Sequence, residues 1–247
     1  MRENFIINPK YSHFAEKLKE VLHNFSLKGE YVTKGERNVI KKIAIEGITF
    51  NIKKFKTPNA FQSLVYQYVR KSKAKRSFEY ASKLIDFGIN TPFPVAYLET
   101  FQGGLKESFY VSEHVDFDFD FRELIHKPTF KNRAEILRQF TQFTFKLHEN
   151  NVNFLDHSPG NTLIVERGEN KYNFYLIDLN RMHFESMDFE KRMHNFRRLW
   201  LSKAMIKIMA QEYATLYGKS FAETQTLMLK YSRDFQKKIN GKKLRRR

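Results

Sequence analysis

The chain has 247 residues, with 44 Lys or Arg against 27 Asp or Glu, and its formal net charge at pH 7 is +17. The apolar fraction of 41% suffices for a sizeable core, and the length permits one domain or two closely joined lobes. The chain has no cysteine, which excludes disulfides and zinc–thiolate sites and leaves a ligand set that suits magnesium better than zinc. Because no run of about 18 apolar residues occurs and Pro9 interrupts the opening segment, we expect neither a transmembrane helix nor a signal peptide, and we place the chain in the cytoplasm.

Strands dominate the first half of the predicted structure. Apolar residues recur at helical spacing from Tyr11 to Phe25, so a helix comes first. Polar and basic residues over 62–86 then predict a helical region that ends near Gly88. Four extended segments are predicted around these helices: 31–46, 48–55, 95–99 and 108–112. The first two join at Gly47, which predicts a hairpin.

The second half is mainly helical. From Asn132 onward, apolar residues that include Ile136 and Phe140 share one helical stripe. The sequence from Ser220 to Glu223 has the form of a capping box and predicts the start of a late helix. A strand-rich half followed by a helix-rich half predicts an α+β chain with two lobes.

Basic residues are concentrated in two runs. One run extends from Arg70 to Arg76 and the other from Lys237 to Arg247. Such runs attract polyanions, whether nucleic acid, anionic lipid or phosphorylated glycolipid, although either run could equally be a solvated surface or a disordered tail. The signatures of helix-turn-helix, zinc-finger and RRM modules are missing, so we expect no specific nucleic-acid partner.

Three polar residues have the order that phosphoryl transfer requires. Asp156 precedes Asn161 by five residues, and Asp178 follows a buried-strand pattern. One carboxylate can orient a hydroxyl, while an amide oxygen and a second carboxylate can hold Mg²⁺ on nucleotide phosphates. Simpler explanations stay open, since 158–161 is also good β-turn sequence and Asp178 could be the first exposed position after a strand.

Two histidines lie near this stretch of the chain. His148 and His157 lack metal-ligand partners at suitable spacing, and we interpret them as packing or surface residues outside the site.

With these residues the chain resembles the protein-kinase-like superfamily, and more closely the lipopolysaccharide core kinases that phosphorylate Kdo or heptose sugars. The resemblance extends roughly from Gly29 to Phe184. It implies a bilobal α+β fold, with an antiparallel sheet and a helix C in a small N-terminal lobe and a larger, mainly helical C-terminal lobe. The expected boundaries are an N-terminal lobe over 1–112, a hinge over 113–120, a catalytic lobe over 121–236 and a disordered basic tail over 237–247.

The resemblance also assigns nucleotide-binding roles. Lys53 is the residue expected to bind the ATP phosphates, with Lys54 as the alternative if the strand register shifts by one. Glu79 is the candidate partner that fixes this lysine. Gly35 belongs to a reduced glycine loop, together with Gly29 and 37–38. The segment from Glu113 to Val115 is the expected hinge whose backbone holds adenine.

The chain departs from the protein-kinase pattern in ways that indicate a non-protein substrate. Phe154 replaces the usual His or Tyr before the catalytic carboxylate, and Asp178-Leu179-Asn180-Arg181 replaces Asp-Phe-Gly. The latter resembles the version in sugar and lipopolysaccharide kinases. A clear Ala-Pro-Glu segment is missing, and no P-loop motif occurs.

These patterns together predict an ATP- and Mg²⁺-dependent kinase. Asp156 is the expected catalytic residue, and Asn161 with Asp178 the expected metal ligands. The resemblance implies a lipid-linked sugar acceptor, a Kdo or heptose of the lipopolysaccharide inner core. The basic runs would then bind an anionic membrane surface, at the inner face of the inner membrane. The sequence sets no oligomeric state.

Three alternatives remain open at this stage. The chain could be a catalytically impaired kinase-like binding protein, as Phe154 and the reduced glycine loop would allow. It could be a kinase of proteins or small metabolites. A nucleic-acid binder is the third alternative.

Overall fold

A computed structural model describes residues 2–35 and 38–245 of the chain. The chain divides into two compact units, the first comprising Met1–Asp86 with Pro92–Val115 and the second Phe87–Thr91 with Asp116–Arg247. The boundary near Val115 lies inside the segment predicted as a hinge. Residues 87–91, predicted in the N-terminal lobe, group with the second unit. The reason is local hydrogen bonding, because the Leu176 N–H donates to the Asn90 carbonyl and the Thr91 hydroxyl to the Leu176 carbonyl.

The first unit is built on one antiparallel sheet of six strands, in the order β1-β5-β6-β4-β3-β2. Its strands are β1 (Arg2–Ile7), β2 (Glu30–Lys34), β3 (Asn38–Ile45), β4 (Ile48–Phe55), β5 (Pro94–Phe101) and β6 (Leu105–Glu113). Its helices are a 3-10 helix (Pro9–Phe14), α1 (Ala15–His23), α2 (Ala60–Tyr68) and α3 (Lys73–Asp86). The β3–β4 pair turns at Glu46 and Gly47, both with positive φ, so the predicted hairpin is confirmed.

Each face of this sheet has its own apolar cover. On one face, Tyr11, Phe14 and Leu18 pack against Phe50 and Ile52 of β4. On the other face, Ala74 and Phe78 of α3 pack against Phe55, Tyr97 and Tyr110. Because side chains alternate along a strand, the even-numbered residues 50 and 52 and the odd-numbered residue 55 of β4 contact different helices.

The second unit is mainly helical, with two small antiparallel sheets. Its helices are α4 (Arg122–His126), α5 (Arg133–Glu149), α6 (Phe189–Asn195), α7 (Lys203–Tyr217) and α8 (Phe221–Leu244), and two 3-10 helices lie at Pro159–Asn161 and Phe196–Leu199. Its strands are β7 (Phe119–Asp120), β8 (Val152–Phe154), β9 (Thr162–Glu166), β10 (Tyr172–Leu176) and β11 (Met182–Phe184). The sheets have the orders β10-β9-β7 and β11-β8. Phe140 of α5 and Met209 and Tyr213 of α7 are fully buried in its core.

Several elements differ from the sequence-based prediction. The helical region over 62–86 is split into α2 and α3, because the Ser72 side chain accepts a hydrogen bond from the Lys75 N–H and starts a new helix. Strand β1 was not predicted; it pairs along β5 in a regular register. The basic tail predicted as disordered is instead helical as far as Leu244, since Lys and Leu favour helix and extending an existing helix needs no new nucleus.

Two further observations concern the helices. The predicted start of α8 is confirmed, and the Ser220 hydroxyl caps it by accepting a hydrogen bond from the Glu223 N–H at 3.2 Å. Within the described residues, no helix combines the length and the apolarity that crossing a membrane would require.

Candidate active site

The second unit brings the three predicted phosphoryl-transfer residues to one place. Strand β8 pairs with β11, and the Leu155 N–H donates to the Arg181 carbonyl, so the two segments run side by side. The Asn161 side-chain amide donates to the Asp156 carbonyl at 2.9 Å. The Ile177 N–H donates to the Asn161 carbonyl at 3.0 Å, which places Asp178 next to that residue. Short-range backbone contacts therefore assemble a cluster from parts 22 positions apart in the sequence.

Asp178 has a backbone conformation that needs support. Its φ is 58°, in the left-handed region that costs an ordinary residue about 1–2 kcal/mol. The Asn180 side chain donates to its carboxylate oxygen Oδ1 at 2.5 Å, which fixes the orientation of the carboxylate. Backbone strain of this kind concentrates at functional positions.

The donor set of this cluster fits Mg²⁺. Because the amide nitrogen of Asn161 is bonded to the Asp156 carbonyl, the amide oxygen is the end available as a metal ligand. Mg²⁺ prefers one or two protein oxygens, completed by phosphate and water. One amide oxygen from Asn161 and one carboxylate from Asp178 match that preference.

Two arginines that the sequence analysis did not assign to the site contact Asp156. Arg198 Nη2 lies 2.7 Å from Asp156 Oδ1, and Arg181 Nη1 lies 3.6 Å from Oδ2. The Asp156 side chain is 19% exposed, so water screens its ion pairs with the two arginines only partly. Arg181 ends the stretch Asp178–Arg181, which resembles the version in sugar kinases. That resemblance could have indicated that Arg181 belongs to the site. Arg198 comes from the 3-10 helix at 196–199 and belongs to no sequence motif.

Gly160 lets a third arginine approach the same loop. A Cβ atom at this position would lie 1.9 Å from Arg122 Nη2, so only glycine admits the guanidinium there without displacing it. Arg122 also bonds Asp120 through Nη1 at 2.9 Å. The segment 158–161, which the sequence allowed to be a plain β-turn, contains a 3-10 turn, and its Gly160 lies against the Arg122 guanidinium.

A buried polar network supports the loop from behind. His157 Nδ1 and His148 Nε2 both contact Asn195 Oδ1, at 2.9 Å and 3.3 Å, and His148 Nδ1 contacts the Tyr213 hydroxyl at 2.8 Å. The Asn195 amide nitrogen donates to the Phe154 carbonyl at 3.0 Å. Burial lowers the pKa of His148 to about 3 and the pKa of His157 to about 4. Both imidazoles are therefore neutral structural groups, which agrees with their omission from the site.

In the first unit, strand alternation separates Lys53 from Lys54. Lys53 Nζ lies 5.2 Å from the ring centroid of Phe55, on the sheet face that α3 covers. Lys54 lies on the opposite face, where its amine is 2.5 Å from Glu107 Oε1 and 5.2 Å from the Phe109 ring centroid. Of the two lysines, Lys53 is thus the one on the side of α3.

Glu79 has a partner that the sequence analysis did not name. Both of its carboxylate oxygens accept hydrogen bonds from Lys71 Nζ, at 3.0 Å and 2.8 Å. The buried side of α3 carries Ala74, Ser77 and Ala81, and Glu79 is rotated about 200° from Ser77 at 100° per residue. The pairing of Glu79 with Lys53 stays a prediction. To form that pair, Glu79 would have to give up its hydrogen bonds with Lys71.

The remaining predicted nucleotide contacts lie at the ends of strands of the first unit. Gly35 follows β2, and its N–H donates to the Asn38 carbonyl at 3.3 Å, whereas Arg37 of the same loop lies outside the described residues. The Glu113 N–H donates to the Phe93 carbonyl, so this N–H is already used within the unit. A base held by the segment 113–115 would need its other backbone groups, such as those of Val115.

Comparisons with known proteins bear on the fold and the family of this chain. Among solved structures, the chain is similar to one titled "WaaP in complex with acyl carrier protein", with a TM-score of 0.65 and 16% identity over 96% of this chain and 99% of that chain. This likeness confirms the protein-kinase-like α+β fold. A comparison with curated protein sequences found no match. The family model described as "Lipopolysaccharide kinase (Kdo/WaaP) family" matches residues 52–219, which is more than half of the chain. The chain therefore belongs to the lipopolysaccharide kinase (Kdo/WaaP) family and is a kinase.

Proposed function

We propose that this kinase uses ATP and Mg²⁺ to phosphorylate a sugar hydroxyl, a Kdo or heptose, on the lipid-linked inner core of lipopolysaccharide. The observation that carries the proposal is the cluster of Asp156, Asn161 and Asp178, tied together by the Asn161–Asp156 and Ile177–Asn161 hydrogen bonds. A hydroxyl-orienting carboxylate beside an amide oxygen and a second carboxylate is the set that phosphoryl transfer requires.

Asp156 is the proposed catalytic residue. Its carboxylate would accept or orient the proton of the acceptor hydroxyl, a contribution typically of about 10²- to 10⁴-fold. Arg198 and Arg181 hold this carboxylate from two sides and fix the direction in which its oxygens point. Positioning of this kind matters because a displacement of about 1 Å at a reacting group can cost roughly 100-fold in rate.

Asn161 and Asp178 are the proposed metal ligands. When bound, Mg²⁺ supplies charge neutralisation on the nucleotide phosphates. The protein's own contribution is to hold the two ligands, through the Asn161–Asp156 bond and the Asn180–Asp178 bond. Removing Asn180 would take away one hydrogen bond that orients the Asp178 carboxylate.

Lys53 is the proposed phosphate-binding residue, supported by its place on the α3 face of the sheet. Glu79 is proposed as the partner of Lys53 in the nucleotide-bound state. Gly35 and the backbone of Glu113 and Val115 are proposed contacts to the phosphates and the adenine, respectively. These roles follow from the family resemblance and from the strand ends on which the residues lie.

The proposed acceptor is lipid-linked, so we place the protein at the inner face of the inner membrane. The positive residues near the end of α8, from Lys237 onward, add attraction to anionic lipid, about 1 kcal/mol per cation close to the surface. Deleting residues 237–247 is expected to weaken binding to anionic vesicles at low salt. Unchanged binding would remove this segment from the attachment.

The decisive experiment measures phosphate transfer from labelled ATP to Kdo-lipid A and to heptosylated acceptors, with mass spectrometry locating the new phosphate. Asp156→Asn is expected to lower kcat by at least about 100-fold while the fold is retained. Asp234→Asn, at an exposed position of α8, is the matched control and is expected to leave kcat unchanged. Nucleotide binding without magnesium-dependent turnover would instead favour a kinase-like binding protein.

A further inference from the structure

Helix α2 presents an apolar stripe to solvent. None of its residues is buried, and the exposed fractions are 77% for Phe61, 47% for Leu64 and 75% for Tyr68. Val69, which ends the helix, is 82% exposed. At 100° per residue, Phe61, Leu64 and Tyr68 lie within an arc of about 60°. An apolar stripe of this kind on a solvent-facing helix marks an interaction site when its neighbours fit a partner.

The opposite side of α2 is fixed to the protein. The Ser63 hydroxyl donates to the Leu105 carbonyl at 2.8 Å. A Cβ atom at Gly104 would lie 2.2 Å from Ser63 Oγ, so the helix approaches the β5–β6 turn as closely as glycine allows. The stripe is therefore held outward by its anchoring on the other side.

A positively charged cavity begins where the stripe ends. It has a volume of about 510 Å³, and its lining includes four cations, Arg2, Arg70, Lys71 and Lys75, together with Tyr68 of the stripe and the adjacent Val69. Two carboxylates, Glu3 and Glu99, also line it, and Glu79 pairs with Lys71, so four cations against three carboxylates leave one net positive charge. Glu3 contacts His23 at 2.7 Å, and Glu99 accepts a hydrogen bond at 2.9 Å from Asn4, which also lines the cavity.

We propose that α2 and this cavity form a docking surface for anionic phospholipid. The apolar stripe enters the boundary between headgroups and acyl chains, and the cavity binds a phosphate-bearing headgroup. An amphipathic helix next to Lys and Arg is the pattern that binds anionic lipid interfaces. The stripe with the adjacent Val69 comprises only four side chains, whereas a stable protein interface buries about 1,000 Å² or more, which favours lipid over a protein partner.

This inference rests on the proposed function only in taking the acceptor to be membrane-bound. The docking surface belongs to the first unit, whereas the phosphoryl-transfer residues belong to the second. It also differs from attachment by the basic end of α8, since it depends on apolar contact as well as charge.

The test is flotation of the full-length protein, without ATP, with vesicles of phosphatidylglycerol and phosphatidylethanolamine or of phosphatidylcholine alone. The double variant Phe61→Ser with Leu64→Ser is expected to lower affinity for the anionic vesicles about tenfold or more. The matched control, Leu27→Ser with Leu216→Ser, removes two exposed apolar side chains elsewhere and is expected to change affinity less than twofold.

A charge pair tests the cavity separately. Arg2→Gln with Arg70→Gln is expected to lower affinity for anionic vesicles about 25-fold at low salt, since each cation near the surface contributes roughly fivefold. Lys203→Gln with Lys207→Gln, at exposed positions of α7, removes the same charge away from the cavity and is the control.

The outcomes separate this proposal from its rivals and from the kinase assignment. Native-like vesicle binding by the Phe61/Leu64 variant would overturn the phospholipid proposal. The proposal would also fail if that variant lost only self-association, measured by sedimentation, or only binding to an acidic protein. Circular dichroism checks that each variant is folded. Kinase activity on detergent-dispersed acceptor is expected to survive in the stripe variant. If no variant or wild-type protein transfers phosphate, the proposed function fails while the vesicle result stands.

Discussion

Lowering the pH from 7 to 5 is expected to destabilise the second unit through the two histidines buried behind the Asp156 loop. In the folded state, burial lowers the pKa of His148 to about 3 and that of His157 to about 4, from an ordinary value of 6.5. Between pH 6.5 and about 4 the unfolded chain therefore binds protons that the folded protein does not. The free energy of unfolding falls as the pH falls through this window.

The size of the effect follows from the two pKa values. At pH 5 each histidine is protonated almost fully in the unfolded chain and hardly at all in the folded protein, which costs about 2 kcal/mol per group and about 4 kcal/mol for both. Carboxylates whose pKa is lowered, such as Glu185 beside Asn153, add their own loss only below about pH 4.5. The window from pH 6.5 to 5 therefore belongs mainly to the histidines, and His194, whose pKa is also lowered by burial, adds to the loss there.

The assay is urea unfolding followed by circular dichroism at pH 7 and pH 5, at one ionic strength. His157→Gln is expected to halve the loss of unfolding free energy between these pH values, whatever its effect at pH 7. His126→Gln, at an exposed position, is expected to preserve the full loss. A wild-type change below about 1 kcal/mol, or an equal change in all three proteins, would refute the assignment of neutral buried imidazoles.

Three further substitutions probe packing and local hydrogen bonds, each measured by urea unfolding. Lys41→Met should cost at least about 2 kcal/mol, because the buried Lys41 amine donates to three backbone carbonyls of the turn 25–28 and these hydrogen bonds would be lost. A cost below about 0.5 kcal/mol would contradict this. Gly104→Ala should cost about 1–3 kcal/mol, since φ is 138° and the new methyl would displace Ser63 of α2; Gly103→Ala, with open space around it, separates strain from the clash. Phe140→Ala should cost about 3–5 kcal/mol by opening a cavity in a fully buried cluster, and an unchanged midpoint would show that the helices collapse around it.

Patterns within short stretches of sequence carried much of the prediction. The β3–β4 hairpin follows from two extended segments and Gly47, and the start of α8 follows from Ser220 and Glu223, because turn geometry and helix capping depend on neighbouring residues. The alternation of a strand likewise separated Lys53 from Lys54 before either was located. The spacing of Asp156 and Asn161 in one loop also suggested the proposed site triad, whose roles stay a prediction.

Contacts between distant segments could not be read in the same way. Strand β1 is recognisable only from its pairing with β5, some 90 residues later. Which side of α3 packs on the sheet decides where Glu79 points, and Glu79 pairs with Lys71. Arg198 reaches Asp156 from a separate 3-10 helix with no motif of its own.

The sequence by itself determined the family resemblance, the order of the proposed site residues and most of the local elements, because these depend on residue type, spacing and short-range hydrogen bonding. Only the tertiary structure decided which charged groups meet, and it placed the apolar stripe of α2 outward beside a positively charged cavity. The physical reason is that the partners of a side chain are set by how whole helices and strands pack, and that packing depends on contacts summed over distant parts of the chain.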